Sequence, residues 1–193
     1  MGNREDLLVA AKQCLLEKGY DRTTVRDVSS RAKVSMAAIG YHYGSLQALL
    51  NEAMFEAMDD WSTALGGVFA PDPAVVDTPA AQFESKVERL IDSLEDGRQF
   101  WLASFEAFMQ AQRSPELREQ MAAGQRDGRQ GLAAMATGQP EDEVEDSEVR
   151  TVGAVQLALI SGLMVQLLTD ETAAPTASEV MTGLRKLMGL TEE

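Results

Sequence analysis

The sequence predicts an all-α protein on three observations: apolar residues recur at helical spacing in nearly every stretch, period-two alternation is almost absent, and capping or breaking residues punctuate the stretches. About nine helices result. In the first, Asn3 to Lys18, the residues Leu7, Leu8, Ala11, Cys14 and Leu15 share a face, and Gly19 supplies the stop. Thr24-Val25-Arg26-Asp27 is a capping-box variant, with Asp27 in place of the usual Glu or Gln, that opens a short second helix through Ala32. Ser35 is placed to cap a third short helix, Met36 to Tyr43, after which Gly44 and Ser45 break and recap the chain. A long fourth helix brings Leu46, Leu50, Met54, Met58, Trp61 and Leu65 near one stripe, and Pro71 and Pro73 mark a loop after it. The fifth carries Phe83, Val87, Leu90, Ile91 and Leu94 at core spacing and ends at Gly97. The sixth, Arg98 to Gln112, aligns Trp101, Phe105 and Phe108, with Met109 beside them. Ser114-Pro115 starts the seventh, with Leu117, Met121, Leu132 and Met135 inward. Its Gly124, Gly128 and Gly131 either admit a neighbouring helix or leave room for a ligand, since each costs about 1 kcal/mol relative to alanine. An acidic loop near Pro140 to Glu148 leads into an eighth helix, about Ser147 to Thr169, that is apolar on nearly all sides. The last, about Ala177 to Leu190, groups Val180, Leu184, Leu187 and Met188.

The 193 residues carry a net charge of −14, which excludes a protein coated in basic charge for indiscriminate nucleic-acid or membrane binding. That average hides a split. Up to Ser45 seven basic residues (Arg4, Lys12, Lys18, Arg22, Arg26, Arg31, Lys33) face five acidic ones (Glu5, Asp6, Glu17, Asp21, Asp27), so the segment is at +2 and the remainder at −16. A small segment able to approach polyanions is attached to a body that polyanions repel. The single Cys14 permits no internal disulfide, and with the single His42 it cannot build a structural zinc site, so no metal is expected. The start lacks a signal-peptide core, Asp6 breaks the myristoylation pattern, and no run is read as reaching the roughly 18 apolar residues of a membrane span. The expectation is a soluble protein of the reducing cytoplasm, with no membrane partner.

Two short helices joined by a tight turn and braced by a longer one form a helix-turn-helix arrangement, whose second short helix fits a DNA major groove. Tyr20, Val25, Val28, Val34 and Ile39 are its mini-core by ordinary burial preference, Tyr43 packs on the first helix, and His42 serves packing or capping. The order Gly19-Tyr20-x-x-Thr23-Thr24-Val25-Arg26-Asp27-Val28, then Ala32-Lys33-Val34-Ser35, then Ile39-Gly40-Tyr41-His42-Tyr43-Gly44-Ser45-Leu46-x-x-Leu49 closely resembles the N-terminal signature of TetR-family transcriptional regulators. The match covers about residues 4 to 50; the rest agrees in length and helical layout only. The resemblance implies an all-α homodimer with a DNA-binding domain over 1–46 and an effector-binding and dimerisation domain over 47–193. By position it puts Thr24, Arg26, Ser35 and Tyr41 at phosphates and Met36, Ala37, Ala38 and Gly40 at base edges. Three residues depart from the family pattern: Lys33 stands where glycine is frequent in the turn and adds charge there, Gly40 where a DNA-contacting tyrosine is common, and Leu46 where a phosphate-binding lysine is frequent. Base readout then leans on thymine methyls and DNA shape.

In the body, Trp61, Trp101, Phe105, Phe108, Met109, Met121, Met135 and Met164 form either plain core or the lining of a pocket for a mainly apolar effector; Glu106 has plain exposure, a structural hydrogen bond or a cationic ligand as alternatives. Val152, Leu159 and Leu163 of the eighth helix with Val180, Leu184 and Leu187 of the last are the expected dimer face. An enzyme would need chemistry that the chain does not supply: there is one His, one Cys, and no H-E-x-x-H, P-loop or G-x-S-x-G, so neither catalysis nor a cofactor is expected. The leading reading is a ligand-responsive repressor on a near-palindromic operator. The runner-up is a helical ligand-binding or adaptor protein that has lost specific DNA binding, to which Gly40 and Leu46 lend themselves.

Overall fold

The computed structural model describes residues 3–69, 74, 78–170 and 172–190. Among them every regular element is helical, in the order α1 Asn3–Lys18, α2 Val25–Ala32, α3 Ala37–Tyr43, α4 Leu46–Phe69, α5 Pro79–Asp96, α6 Arg98–Ala111, α7 Pro115–Thr137, α8 Asp146–Thr169 and α9 Ala177–Leu187. A 3₁₀ turn, Glu141–Glu143, precedes α8. The loop expected at Pro71 and Pro73 lies outside the described residues, as does the side chain of Leu65.

Local chemistry sets most of the boundaries. Gly19 adopts φ 88°, a left-handed conformation open to glycine, and its amide closes on the Leu15 carbonyl at 2.8 Å, ending α1. Thr24 and Asp27 form the reciprocal capping box that the sequence predicts. Ser45 Oγ accepts from Ala48 N at 3.0 Å, and Ser114 Oγ from Leu117 N at 3.3 Å, opening α4 and α7. Ser35 does not cap α3. Met36 is the N-cap and its backbone is already helical (φ −58°, ψ −31°), without the extended turn that aims a side chain at the first free amides; Ser35 offers only its carbonyl, to Ala38 N at 3.0 Å. The last helix stops at Leu187, short of Leu190, because Gly189 turns left-handed (φ 71°) and Leu190 N returns to Arg185 O at 2.8 Å.

The chain forms two compact units, 1–63 with 98–125, and 64–97 with 126–193. The first has one continuous core that joins α1, α2, α3 and α4 to Ala103 and Ala107 of α6. All five residues of the expected α1 face are buried there, and burial pushes the Cys14 thiol pKa up, so it stays protonated and inert. Ala103, Ala107 and Ala111, one turn apart, are the fully buried stripe of α6, which lets that helix approach its neighbours closely.

In the second unit, α5, α7, α8 and α9 bury Val87, Leu90, Leu94, Leu132, Ile160, Leu163, Leu167 and Met181. Here α8 departs from expectation twice. Its residues Val149–Gly153 are π-helical, and a Cβ on Gly153 would fall inside contact distance of the Arg129 carbonyl oxygen of α7, so the backbones meet with no room for a side chain. At 24 residues α8 is also long and apolar enough to cross a membrane by length and composition, because the uncharged Gln156, Ser161, Gly162 and Gln166 interrupt its apolar run without breaking it. Only 28% of that apolar window is buried within the chain, leaving a broad apolar face outward. Of the three α7 glycines, a Cβ on Gly128 would meet open space, while one on Gly124 would lie 3.4 Å from Met58 and one on Gly131 3.4 Å from Glu141.

Candidate functional site

α2 and α3 are set at an angle by a turn whose centre is Lys33. Its backbone is left-handed (φ 56°, ψ 38°), and Val34 N returns to Ser29 O at 3.1 Å, the geometry usually given to glycine. Lys33 is the one positive-φ residue other than glycine among the described residues, and it places its ammonium outward at the corner. Thr24, Arg26, Ser35, Met36, Ala37, Gly40 and Tyr41 are exposed around it, Met36 at 60% and Tyr41 at 86%, values that solvent alone does not favour for side chains this large. Ala38 is half-buried and packs on the core, which leaves it little surface to offer a base edge. Leu46 also packs on that core, so its position is spent on packing. Tyr41 meets the His42 ring edge-on at 4.9 Å, and Tyr43 donates from its hydroxyl to Arg4 O at 2.7 Å under the Arg4 guanidinium, as its packing on α1 requires.

Several cations near this face are already engaged. Arg31 makes a two-pronged pair with Glu17 at 2.7 and 2.5 Å, and Lys18 contacts Asp27 at 2.5 Å. Lys18, and then the Thr24 hydroxyl and amide, hold the Asp27 carboxyl down at about 2, so it stays ionised and the cap intact through neutral pH. The Thr24 hydroxyl donates to Asp27 at 2.6 Å, which makes that residue first a cap. Arg26 and Lys33 are the exposed cations on the outward face with no ion pair among the described residues.

Sequence reasoning left the role of Glu106 open, and the structure gives it one. From α6 its carboxylate accepts the amide of Tyr20 in a short hydrogen bond and that of Asp21 at 3.4 Å, while Gln110, one turn on, donates to Asp21 at 2.7 Å. A Cβ on Gly19 would lie 2.6 Å from a Glu106 oxygen, so glycine there serves both the left-handed turn and the carboxylate's approach. α6 thus grips the turn between α1 and α2, immediately before Thr24. Removing the carboxylate with Glu106→Ala leaves the buried Tyr20 amide unmet and is expected to cost about 1–3 kcal/mol. Denaturant melts, together with faster exchange of the Tyr20 amide, check this; an unchanged melt and exchange rate would rule the grip out.

The expected ligand residues divide. Trp61 and Trp101 meet edge to face at 4.5 Å, and Phe100, which the sequence reading passed over, stands 4.9 Å from Trp101 and 6.0 Å from Trp61. Both indole N–H groups are buried without a hydrogen-bond partner among the described residues. Phe105 is half-buried, Met121 packs on the first unit's core, and Met164 is buried in the second unit. Phe108 and Met109 face solvent, at 46% and 61%, and are not brought to the tryptophans.

Of the expected dimer residues, Val152 and Leu187 are exposed and Leu159, Val180 and Leu184 half-buried, whereas Leu163 is buried in its own unit. Val155, Val165, Met188 and Leu190 are exposed apolar residues on the same two terminal segments. A shallow groove open to solvent runs between α5, α8 and α9, lined by Phe83, Val87, Leu90, Leu159, Leu163 and Val180 among others.

No curated protein matches this sequence. Among solved structures, a multidrug binding protein, EbrR, complexed with proflavin is similar at 24% identity and TM-score 0.67, over 95% of this chain and 99% of that one. A transcriptional regulator from Rhodococcus sp. RHA1 is similar at 20% identity and TM-score 0.71, over 99% and 97%. A third similar structure, a transcriptional regulator from Saccharomonospora viridis in complex with choline, shares 20% identity at TM-score 0.62, over 96% and 95%. At these identities the likeness is one of fold. The family evidence is in the sequence: residues 7–53 match the model described as bacterial regulatory proteins, tetR family, and residues 78–190 match the tetracyclin repressor-like C-terminal domain. The second match alone spans more than half of the chain, and with the first at the helix-turn-helix it assigns this protein to the TetR family of DNA-binding transcriptional regulators, which are not enzymes.

Proposed function

We propose that the protein is a cytoplasmic homodimeric repressor that leaves a near-palindromic operator when a small, mainly apolar effector binds it. The observation that carries the reading is the outward face of α2 and α3, where Arg26 and Lys33 are exposed without ion pairs among the described residues and Met36, Ala37, Gly40 and Tyr41 stand clear of the core. A dimer would set two such faces in successive major grooves, about 34 Å apart. With few bidentate side chains on α3, the cations and the Thr24 helix terminus supply affinity while apolar contacts and DNA shape select the sequence.

The double substitution Thr24→Ala with Arg26→Ala is expected to weaken binding to every DNA sequence alike and to make the salt dependence shallower by about one unit of slope for each chain of the dimer, since each chain loses one cation at a phosphate. Titrations at several salt concentrations check it, and unchanged affinity with an intact fold would remove both residues from the interface.

The effector reading is supported by the aromatic cluster of Trp61, Phe100 and Trp101, with Phe105 one turn along α6, and by relatives of this fold that hold proflavin or choline. The cluster joins α4, which runs from the end of the helix-turn-helix, to α6, which grips the turn before α2 through Glu106 and Gln110. A ligand that separates Trp61 from Trp101 shifts both helices, and the recognition face with them. It moves the equilibrium only to the extent that it binds the DNA-incompetent state more tightly.

A further inference from the structure

The two tryptophans carry more information than their apolar area. Trp101 is only 8% exposed, and its indole nitrogen and that of Trp61 are both buried without a partner among the described residues, although a buried indole N–H ordinarily finds one. They are the only tryptophans in the chain and they touch each other. The nearby hydroxyl of Ser104 is directed to Phe100 O at 2.9 Å and towards Met54 Sδ at 3.9 Å. Ring edges meeting ring faces are weak substitutes for an oxygen acceptor. A water molecule could accept from an indole but would bring two hydrogens of its own into a cluster of aromatic rings. A carbonyl oxygen has two lone pairs and no hydrogen, so it answers the donors without leaving a new polar group unmet.

We infer that the effector presents a hydrogen-bond acceptor with no donor beside it, an aryl ketone or quinone-type carbonyl on a flat apolar skeleton, to the indole N–H groups of Trp61 and Trp101. This rests on the cluster being the effector site and narrows the ligand's chemistry there. Ligands that lead with an ammonium or hydroxyl donor meet a donor surface and are disfavoured.

The test uses 1-tetralone and tetralin, which share a fused-ring skeleton and differ by one carbonyl. With ¹⁵N-labelled full-length protein there are two indole N–H resonances, both reporting on this cluster. Tetralone is expected to move at least one of them downfield and to bind about tenfold more tightly than tetralin, despite being the less apolar of the two. Trp101→Phe or Trp61→Phe, which keeps an aromatic ring and deletes a donor, is expected to bring the two affinities within about threefold of each other. Should Trp101→Phe unfold the chain, the wild-type pair and Trp61→Phe still decide. Equal binding of both compounds at the indoles, or tighter binding of tetralin, overturns the acceptor inference and leaves the effector site standing. If neither compound perturbs either indole, the effector site at this cluster falls as well.

Discussion

A Gly153→Ala chain is expected to lose about 3 kcal/mol or more of stability, concentrated in the second unit, from the addition of a single methyl group. The reason is the partner it would meet. At most helix contacts a new Cβ faces the tip of a flexible side chain that swings aside, but here it faces the backbone carbonyl of Arg129, with the Ala133 Cβ at 3.3 Å on the other side. Relief requires α7 and the start of α8 to separate, which opens the buried Leu132, Ala133 and Ala134 to water. The loss should appear in thermal melts followed by circular dichroism as a fall in midpoint of about 10 °C. A midpoint within about 2 °C of the wild type would show that the close approach is not a structural requirement.

The second large effect concerns the outward face of α8 and the tail of α9. Val155→Glu combined with Leu187→Glu is expected to give single chains that bind the operator at least about a hundredfold more weakly, because each half-site then has to be held alone. Both residues are exposed in the single chain, Leu187 at 86%, so a charge there costs nothing in the isolated fold and much at a covered apolar interface. Leu163→Glu is the informative comparison. That residue is buried within its own unit, and its replacement should unfold the unit instead of dissociating a dimer. Sedimentation at micromolar concentration separates the outcomes, and a wild-type protein that sediments as one chain would end the dimer proposal.

Where structure depends on neighbours in sequence, it was legible. The left-handed stop at Gly19, the Thr24–Asp27 box and the serine caps at Ser45 and Ser114 each turn on a few adjacent atoms, so residue type and spacing suffice. Lys33 was readable as a turn position, and the structure shows the left-handed backbone that this position demands. The features that stayed hidden depend on distant segments. The π-helical stretch of α8 goes with a backbone contact to α7, which leaves no periodic trace beyond one glycine. Of the aromatic residues expected inward on α6, Trp101 is buried, but three alanines hold the rest of the buried surface and Phe108 turns outward. Small residues buried by close helix approach resemble small residues anywhere, which is also why the joining of α6 to the DNA-binding helices could not be read in advance. Glu106 needed the turn it grips, 85 and 86 residues earlier, to acquire a meaning.

In the proposed function the exposed face of α2 and α3 selects particular DNA. Capture of sheared genomic fragments by the purified full-length protein, with the retained fragments sequenced after washes of increasing salt, tests it most directly. A small set of fragments is expected to survive the higher-salt washes, to share a near-palindromic element with half-sites one helical turn apart, and to be lost with the Thr24→Ala, Arg26→Ala double variant. Retention that shows no sequence preference at low salt and vanishes as salt rises would contradict it, and would leave a helical ligand-binding protein that has kept the fold without the recognition.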